Sequence, residues 1–341
     1  MTKSDAAPCA DDSPARHAAA RAKVALGLAA HLPALRRFDV RKRLVELTIF
    51  CAILLCGVTL TLAGYRSTAG IARYLLLASG IILTALAINS LVLLLHEGMH
   101  QTLFADPGWN RWVSVLLGAT FLMSFSAYQV MHIRHHRFLG DPRDPDDYHN
   151  YTKNRSVVWV LHFVRLAVGS LLYVFVIPVL AFRYGSGDER RRVATEYVLL
   201  GAIYAVVVSS APAGVLLYAW LAPLLLVGQM TAIRGFTQHG ITDATDPFIA
   251  SRSIRAPGIV RFFLLNENYH LEHHLFPEVP SYHLKHLHEL IWPDLPYAVT
   301  GRSYLGFLFK FFRATARMDE TPIGFTQPAA RERRSERPAI R

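Results

Sequence analysis

From residue 46 to residue 64 the chain is almost uninterruptedly apolar, and after the polar turn Tyr65 to Thr68 a second apolar run covers 71–95. As a helix, each run is long enough to cross a hydrocarbon core of about 30 Å, so the pair predicts a transmembrane hairpin. Further apolar stretches occupy 112–130, 157–182, 195–211 and 214–233, the last two turned by SSAPAG. Beyond residue 240 the pattern becomes that of a soluble segment, with an amphipathic stretch over 266–290. Residues 303–313 (SYLGFLFKFFR) have a lipid-facing character, with Lys310 and Arg313 near the headgroups.

Composition strengthens the membrane reading. Of the 341 residues, 52% are hydrophobic and only 18% charged, against about a quarter charged in soluble domains. The net charge of +11 is concentrated at the ends, in Arg16, Arg21, Lys23, Arg36, Arg37, Arg41, Lys42 and Arg43 and again in Arg331, Arg333, Arg334, Arg337 and Arg341. Basic flanks beside apolar spans report a cytoplasmic side. A nucleic-acid face would need basic residues interleaved with aromatics on a folded module, which the sequence lacks. Cys9, Cys51 and Cys56 build neither a disulfide framework nor a CxxC metal site. Residues 1–45 contain no apolar core of signal-peptide type. They are expected to form a basic, mobile or weakly helical cytoplasmic segment before a membrane domain over 46–318. The Pro- and Arg-rich tail, 319–341, is expected to be disordered.

Sixteen histidines stand out by their spacing. His96 and His100 form H-x3-H; His132, His135 and His136 form H-x2-H-H, and His270, His273 and His274 repeat that pattern. On a helix, positions i, i+3 and i+4 share a face, so each cluster points its imidazoles one way. Neutral imidazole nitrogens bind iron, zinc, copper or nickel. The clusters supply eight rings and His239 a ninth, too many for one ion with about four ligands, which argues for a dinuclear site. Spacing alone leaves His239, isolated in RGFTQHG, undecided. His17, His31, His149, His162, His283, His286 and His288 read as ordinary surface or core histidines. Metal-bound imidazoles need acceptors on their other nitrogen, and Glu97, Asp141, Asp144, Asp146, Asp147, Asn266, Asn268 and Glu272 lie beside the clusters. The acidic run DPRDPDD fits that role or a solvated Pro-turn loop.

A shared site constrains topology. If 112–130 crossed the membrane, the first two clusters would lie on opposite faces, so it is expected to be re-entrant or interfacial. By the same parity, 157–182 is expected to lie in plane or to dip, and 195–211 and 214–233 to form a spanning hairpin. The alternative has 157–182 crossing and a single crossing after it. The fold expected is all-α: a multi-pass domain of about four spans plus in-plane helices, with a cytoplasmic helical cap carrying the histidines.

The stretches LLLHEGMHQTLF, HIRHHRFLGDPRDPD, RGFTQHG and NYHLEHHLFPEVPSYHL, in this order, resemble the membrane fatty-acid desaturase family, which also contains lipid hydroxylases and carotenoid ketolases. The resemblance covers about residues 45 to 300. It implies a non-haem di-iron centre on the cytoplasmic side, with O2 as co-substrate and a lipid or fatty-acyl substrate. The implied ligands are His96, His100, His132, His135, His136, His239, His270, His273 and His274. Family members acting near the carboxyl end often carry Gln for the first His of the last box and a fused cytochrome b5-like domain. This chain has His270 there and no His-Pro-Gly-Gly haem motif, so electrons are expected from a separate ferredoxin or cytochrome b5. The other class considered is a metal transporter or zinc-dependent membrane hydrolase. A transporter would place its polar residues near mid-span, whereas these clusters sit at span ends.

Overall fold

A computed structural model describes residues 13–147, 150–152, 154–242, 246–295 and 300–316. The tail expected to be disordered lies outside the described residues, as does His149. The described chain is overwhelmingly helical; its strands form one parallel pair, Ser253–Ile254 with Thr300–Gly301.

Four helices are long and apolar enough to cross a membrane: Leu32–Arg66, Gly70–Met99, Gly187–Ser210 and Ala213–His239. They correspond to the four spans expected. Within the first, the long helix Val40–Arg66 begins ahead of the apolar run because Asp39 caps it, accepting hydrogen bonds from the Arg41 and Lys42 N–H groups. Ser186 and Glu189 form a reciprocal capping box on the third. Leu55, Leu75, Val198 and Val206 on these spans are exposed, the outward apolar faces that a helix needs to meet lipid tails.

The first two spans form a tight hairpin through small residues. A β-carbon on Gly57 would lie 2.6 Å from the backbone nitrogen of Thr84 and 3.0 Å from the carbonyl oxygen of Gly80. Such close backbone approach is how membrane helices gain van der Waals contact where lipid offers no hydrophobic driving force. Gly57→Val must therefore separate the helices, at an expected cost of about 1–3 kcal/mol. Thermal unfolding in detergent measures it; an unchanged melting temperature would contradict the close contact.

The two stretches not expected to cross are each broken. Residues 112–130 fall on helices Pro107–Ala119 and Phe125–Phe138, separated at Thr120–Ser124, where Leu122 has a positive φ of 67° and Ser124 caps the second helix. A 13-residue helix rises only about 20 Å, short of the hydrocarbon thickness. Residues 157–182 split into Arg155–Val168 and Tyr173–Tyr184. The break falls at Gly169, where φ is 66° and a β-carbon would overlap the backbone of Gly228 on the fourth span; only glycine satisfies both demands.

The N-terminal segment takes the helical one of the two forms expected of it, and part of it is buried. Ser13–Gly27 is helical, and Leu28, Leu32 and Leu35 are buried against Leu271, Leu275, Phe276, Leu284 and Leu287. The row is short in the sequence, three leucines separated by Ala29, Ala30, His31, Pro33 and Ala34. Docking on the last histidine cluster supplies the partner that turns weak helical propensity into structure.

Candidate metal centre

Four elements converge on one polar interior. His96 and His100 lie at the end of the second span, and His132, His135 and His136 on Phe125–Phe138. His239 is the last residue of the fourth span, and His270, His273 and His274 belong to the short helix His270–Leu275. All nine clustered histidines come together. His96, His100, His132, His136 and His273 form one group, and His135, His239 and His274 another, the ligand atoms in each lying within 4.8 Å of one another. His270 joins the second group: its Nε2 is 2.9 Å from that of His239 and 3.1 Å from that of His274. The groups abut through a parallel stack of His136 on His274, centroids 4.0 Å apart.

Which nitrogen faces inward follows from the outer partners. His135 Nδ1 sits 3.0 and 3.1 Å from the carboxylate oxygens of Asp144, and His270 Nδ1 3.2 Å from Glu267. Donation of Nδ1–H to a carboxylate leaves the Nε2 lone pair pointing inward. In the first group Nε2 of His100 is 2.9 Å from that of His132, and Nε2 of His273 is 3.2 Å from that of His136. Converging lone pairs repel one another unless a cation or proton lies between them, so the donor set fits two transition-metal ions.

Electrostatics agree. Burial first, then neighbouring imidazoles, pushes His100, His132, His136, His273 and His274 well below the ordinary histidine range, which keeps them neutral and ligand-competent. His135 is the exception: burial opposes protonation, but Asp144 and the acidic loop outweigh it and raise the ring to about 9. Such a carboxylate partner raises ligand basicity.

Glu267 escaped sequence reasoning. It is buried, with Oε2 on His270 Nδ1 and Oε1 3.3 Å from His96 Nδ1 and 3.8 Å from His273 Nδ1. Burial disfavours its charge, yet the surrounding imidazoles hold it well below the usual carboxylate range. The available signal was its position three residues before His270; its presentation depends on Leu265 and Asn266, both with positive φ. Of the acceptors that were named, Asp144 takes that role. Glu97 instead pairs with Arg43, Asp141 with Arg143, and Glu272 with Ser253 and His288. Asn266 and Asn268 donate to the carbonyls of Ser281 and Ile254. Asp146 accepts from Tyr173 Oη at 2.5 Å. The acidic run thus divides between an acceptor and loop ion pairs. Away from the centre, His162 is buried among Phe236 and Phe311, while His31 and His286 are exposed.

Beside the rings lies a cavity of about 130 Å³, reached by His96, His132, His135, His239 and His270 and walled by Val92, Leu93, Phe121, Met131, Val174, Ile177 and Leu224. A chamber walled largely by apolar side chains and opening onto the grouped imidazoles can exclude bulk water from an apolar ligand held against them.

The fatty acid desaturase family model matches residues 72–306. A "Fatty acid desaturase" of Bacillus subtilis (strain 168) is 24% identical over 247 residues, 63% of this chain and 68% of that protein. A "Dihydrorhizobitoxine desaturase" of Bradyrhizobium elkanii is 22% identical over 247 residues, 65% of this chain and 69% of its own. A mouse (Mus musculus) "Sphingolipid delta(4)-desaturase/C4-monooxygenase" is 26% identical over 209 residues, 58% of this chain and 59% of its own. With the match spanning all four helical elements that carry the rings, the chain belongs to the fatty acid desaturase family.

Proposed function

We propose that this oxidoreductase is an O2-dependent, integral-membrane fatty-acid desaturase. In this reading two iron ions are held by His96, His100, His132, His136 and His273 and by His135, His239, His270 and His274. The observation that carries the reading is the convergence of nine buried or half-buried imidazoles, in groups of five and four, beside an apolar cavity. When bound there, the iron pair would supply the O2 chemistry needed to oxidise a methylene. The chain's own residues do the rest. Asp144 and Glu267 orient the rings. The apolar wall positions an acyl chain that has no polar handle at the reacting carbon, so reach and bend of the cavity set regiochemistry. The substrate is a fatty-acyl group carried on a lipid or on coenzyme A.

The basic residues before the first span support termini and centre on the cytoplasmic side. Electrons come from a separate donor of ferredoxin or cytochrome b5 type docking on that face. A second outcome, oxygen insertion giving a hydroxylated or ketolated lipid, is favoured by one observation: the mouse relative's name couples a desaturase with a monooxygenase. A zinc-dependent hydrolase or metal transporter is the less supported class.

Expression in a host of defined lipid composition, with mass spectrometry of the lipids and metal analysis of the purified protein, tests the reading. About two irons per chain and a product about 2 Da lighter than a host lipid are expected; a product about 16 Da heavier selects hydroxylation. In the same assay His273→Ala should abolish product and lower iron, whereas His17→Ala should do neither. Zinc in place of iron with no oxidised lipid would defeat the proposal.

A further inference from the structure

The cavity that meets the histidines is not apolar throughout. Arg165 and Arg234 both line it, together with Thr231 and Gln238. Arg234 lies on the fourth span five residues before His239, about 7.5 Å along the helix axis, so its guanidinium shares a short chamber with the rings. Among the described residues no carboxylate, carbonyl or hydroxyl accepts a hydrogen bond from it, and its Nη1 is buried without a partner. A guanidinium carries five donors, stays charged at every accessible pH, and is costly to leave unsatisfied inside a membrane domain.

Of the carboxylates that line the same cavity, Glu267 accepts from His270 Nδ1 through Oε2 and turns Oε1 toward the His96 ring, and Asp146 accepts from Tyr173. Arg165 is turned over the rings of Tyr173 and Phe236, at 5.1 and 4.8 Å, which fixes a second positive charge in the same wall. The chamber therefore combines apolar walls, a metal-facing end, and a cationic fork with donors to spare.

We infer that Arg234 anchors an anionic oxygen group of the substrate inside this cavity, so that the enzyme takes a single-chain lipid bearing a carboxylate or phosphate. A planar guanidinium matches the paired oxygens of either group. The anchor's nearness to the rings places the reacting carbon close to the anionic end of the lipid. The inference deepens the desaturase reading by replacing the carried acyl group with an anionic single-chain lipid, and rests on it only in taking this cavity as the substrate site.

Binding without turnover separates the two. Radiolabelled lauric acid and methyl laurate are titrated onto the full-length, iron-loaded protein in neutral detergent, at alkaline pH where the acid is ionised, with dodecyl phosphate as competitor. Loss of a charge-assisted hydrogen bond is expected to make the ester about tenfold weaker or worse. Dodecyl phosphate outcompeting lauric acid assigns the site to phosphates, and the reverse to carboxylates. In R234Q the preference for anion over ester should vanish while ester affinity and iron content stay unchanged; R234K should keep part of it. Equal affinity of wild type for ester and both anions overturns the inference, as does a folded R234Q that retains the preference. Should R234Q lose its iron, the wild-type and R234K comparisons decide. None of these outcomes depends on whether oxidised lipid forms, which the product analysis reports separately.

Discussion

Glu267→Ala is expected to empty the metal centre and abolish turnover, although Glu267 is assigned no bond to a metal. Its carboxylate reaches the Nδ1 side of His96 and His273 in the five-ring group and of His270 in the four-ring group. One residue thus faces rings of both histidine groups. Without it His270 loses the acceptor that fixes its tautomer and ring plane, and His96 and His273 lose the carboxylate charge that faces their Nδ1 atoms; removal of such an outer partner typically lowers metal affinity or activity about 10–100-fold. Because the loss falls on both positions, iron per chain should drop to less than half, and product formation by about 100-fold or more. Glu267→Gln keeps one acceptor oxygen and should lie between. Metal analysis beside product analysis distinguishes positioning from general damage: rescue of iron by excess metal in the Gln variant, but not in the Ala variant, is the pattern expected. A Glu267→Ala protein with full iron and full turnover would end this assignment.

What could be read from the sequence divides along physical lines. The four spans were legible because bilayer thickness and helical rise set a length that 46–64, 71–95, 195–211 and 214–233 reach, and because the need for one shared histidine site set aside the equally long runs 112–130 and 157–182. The histidine faces were legible because i, i+3 and i+4 spacing is local, and even His239, isolated in sequence, falls beside His270 and His274 in space. Groups whose roles depend on contacts distant in sequence were not. Glu267 is one acid in LLNENYH until the left-handed turn at Leu265 and Asn266 aims it inward. Arg234 is one residue of an apolar span until Val92, Phe121 and Leu224 close a chamber around it. The burial of Leu28, Leu32 and Leu35 was not legible because it depends on Leu271, Phe276 and Leu284, far off in sequence. Arg43 is the sharpest case: among RRFDVRKR it counted as an orientation signal, yet its side chain is fully buried.

That burial makes Arg43→Ala the second large effect. The guanidinium donates to Glu97, to Glu46 at 2.7 Å, to Ser281 Oγ at 3.2 Å and to the Thr102 carbonyl at 3.2 Å, and lies 4.5 Å from the Tyr282 ring centroid. Glu97, beside His96, also accepts from Thr102 Oγ1 and the Ser281 N–H, each at 3.0 Å. The network ties the start of the first span to the end of the second, which carries His96 and His100, and to helix Ser281–Ile291, which follows the last cluster. Truncating Arg43 leaves Glu97 as an uncompensated buried charge, at a cost of about 3–5 kcal/mol, so the melting temperature should fall by about 10 °C. Iron should be lost with it, because the first and last clusters are no longer held in register. Replacing both partners, as in R43M with E97M, should recover much of the loss, since an apolar pair leaves no orphaned charge. Arg43→Lys separates this brace from a topological role. Lysine keeps the positive charge that orients a span, but it lacks the planar fork that reaches Glu97, Glu46 and Ser281 together. A destabilised Lys variant with unaltered topology supports the brace; wild-type stability in both the Lys and Ala variants would reduce Arg43 to the orientation signal that the sequence alone suggests.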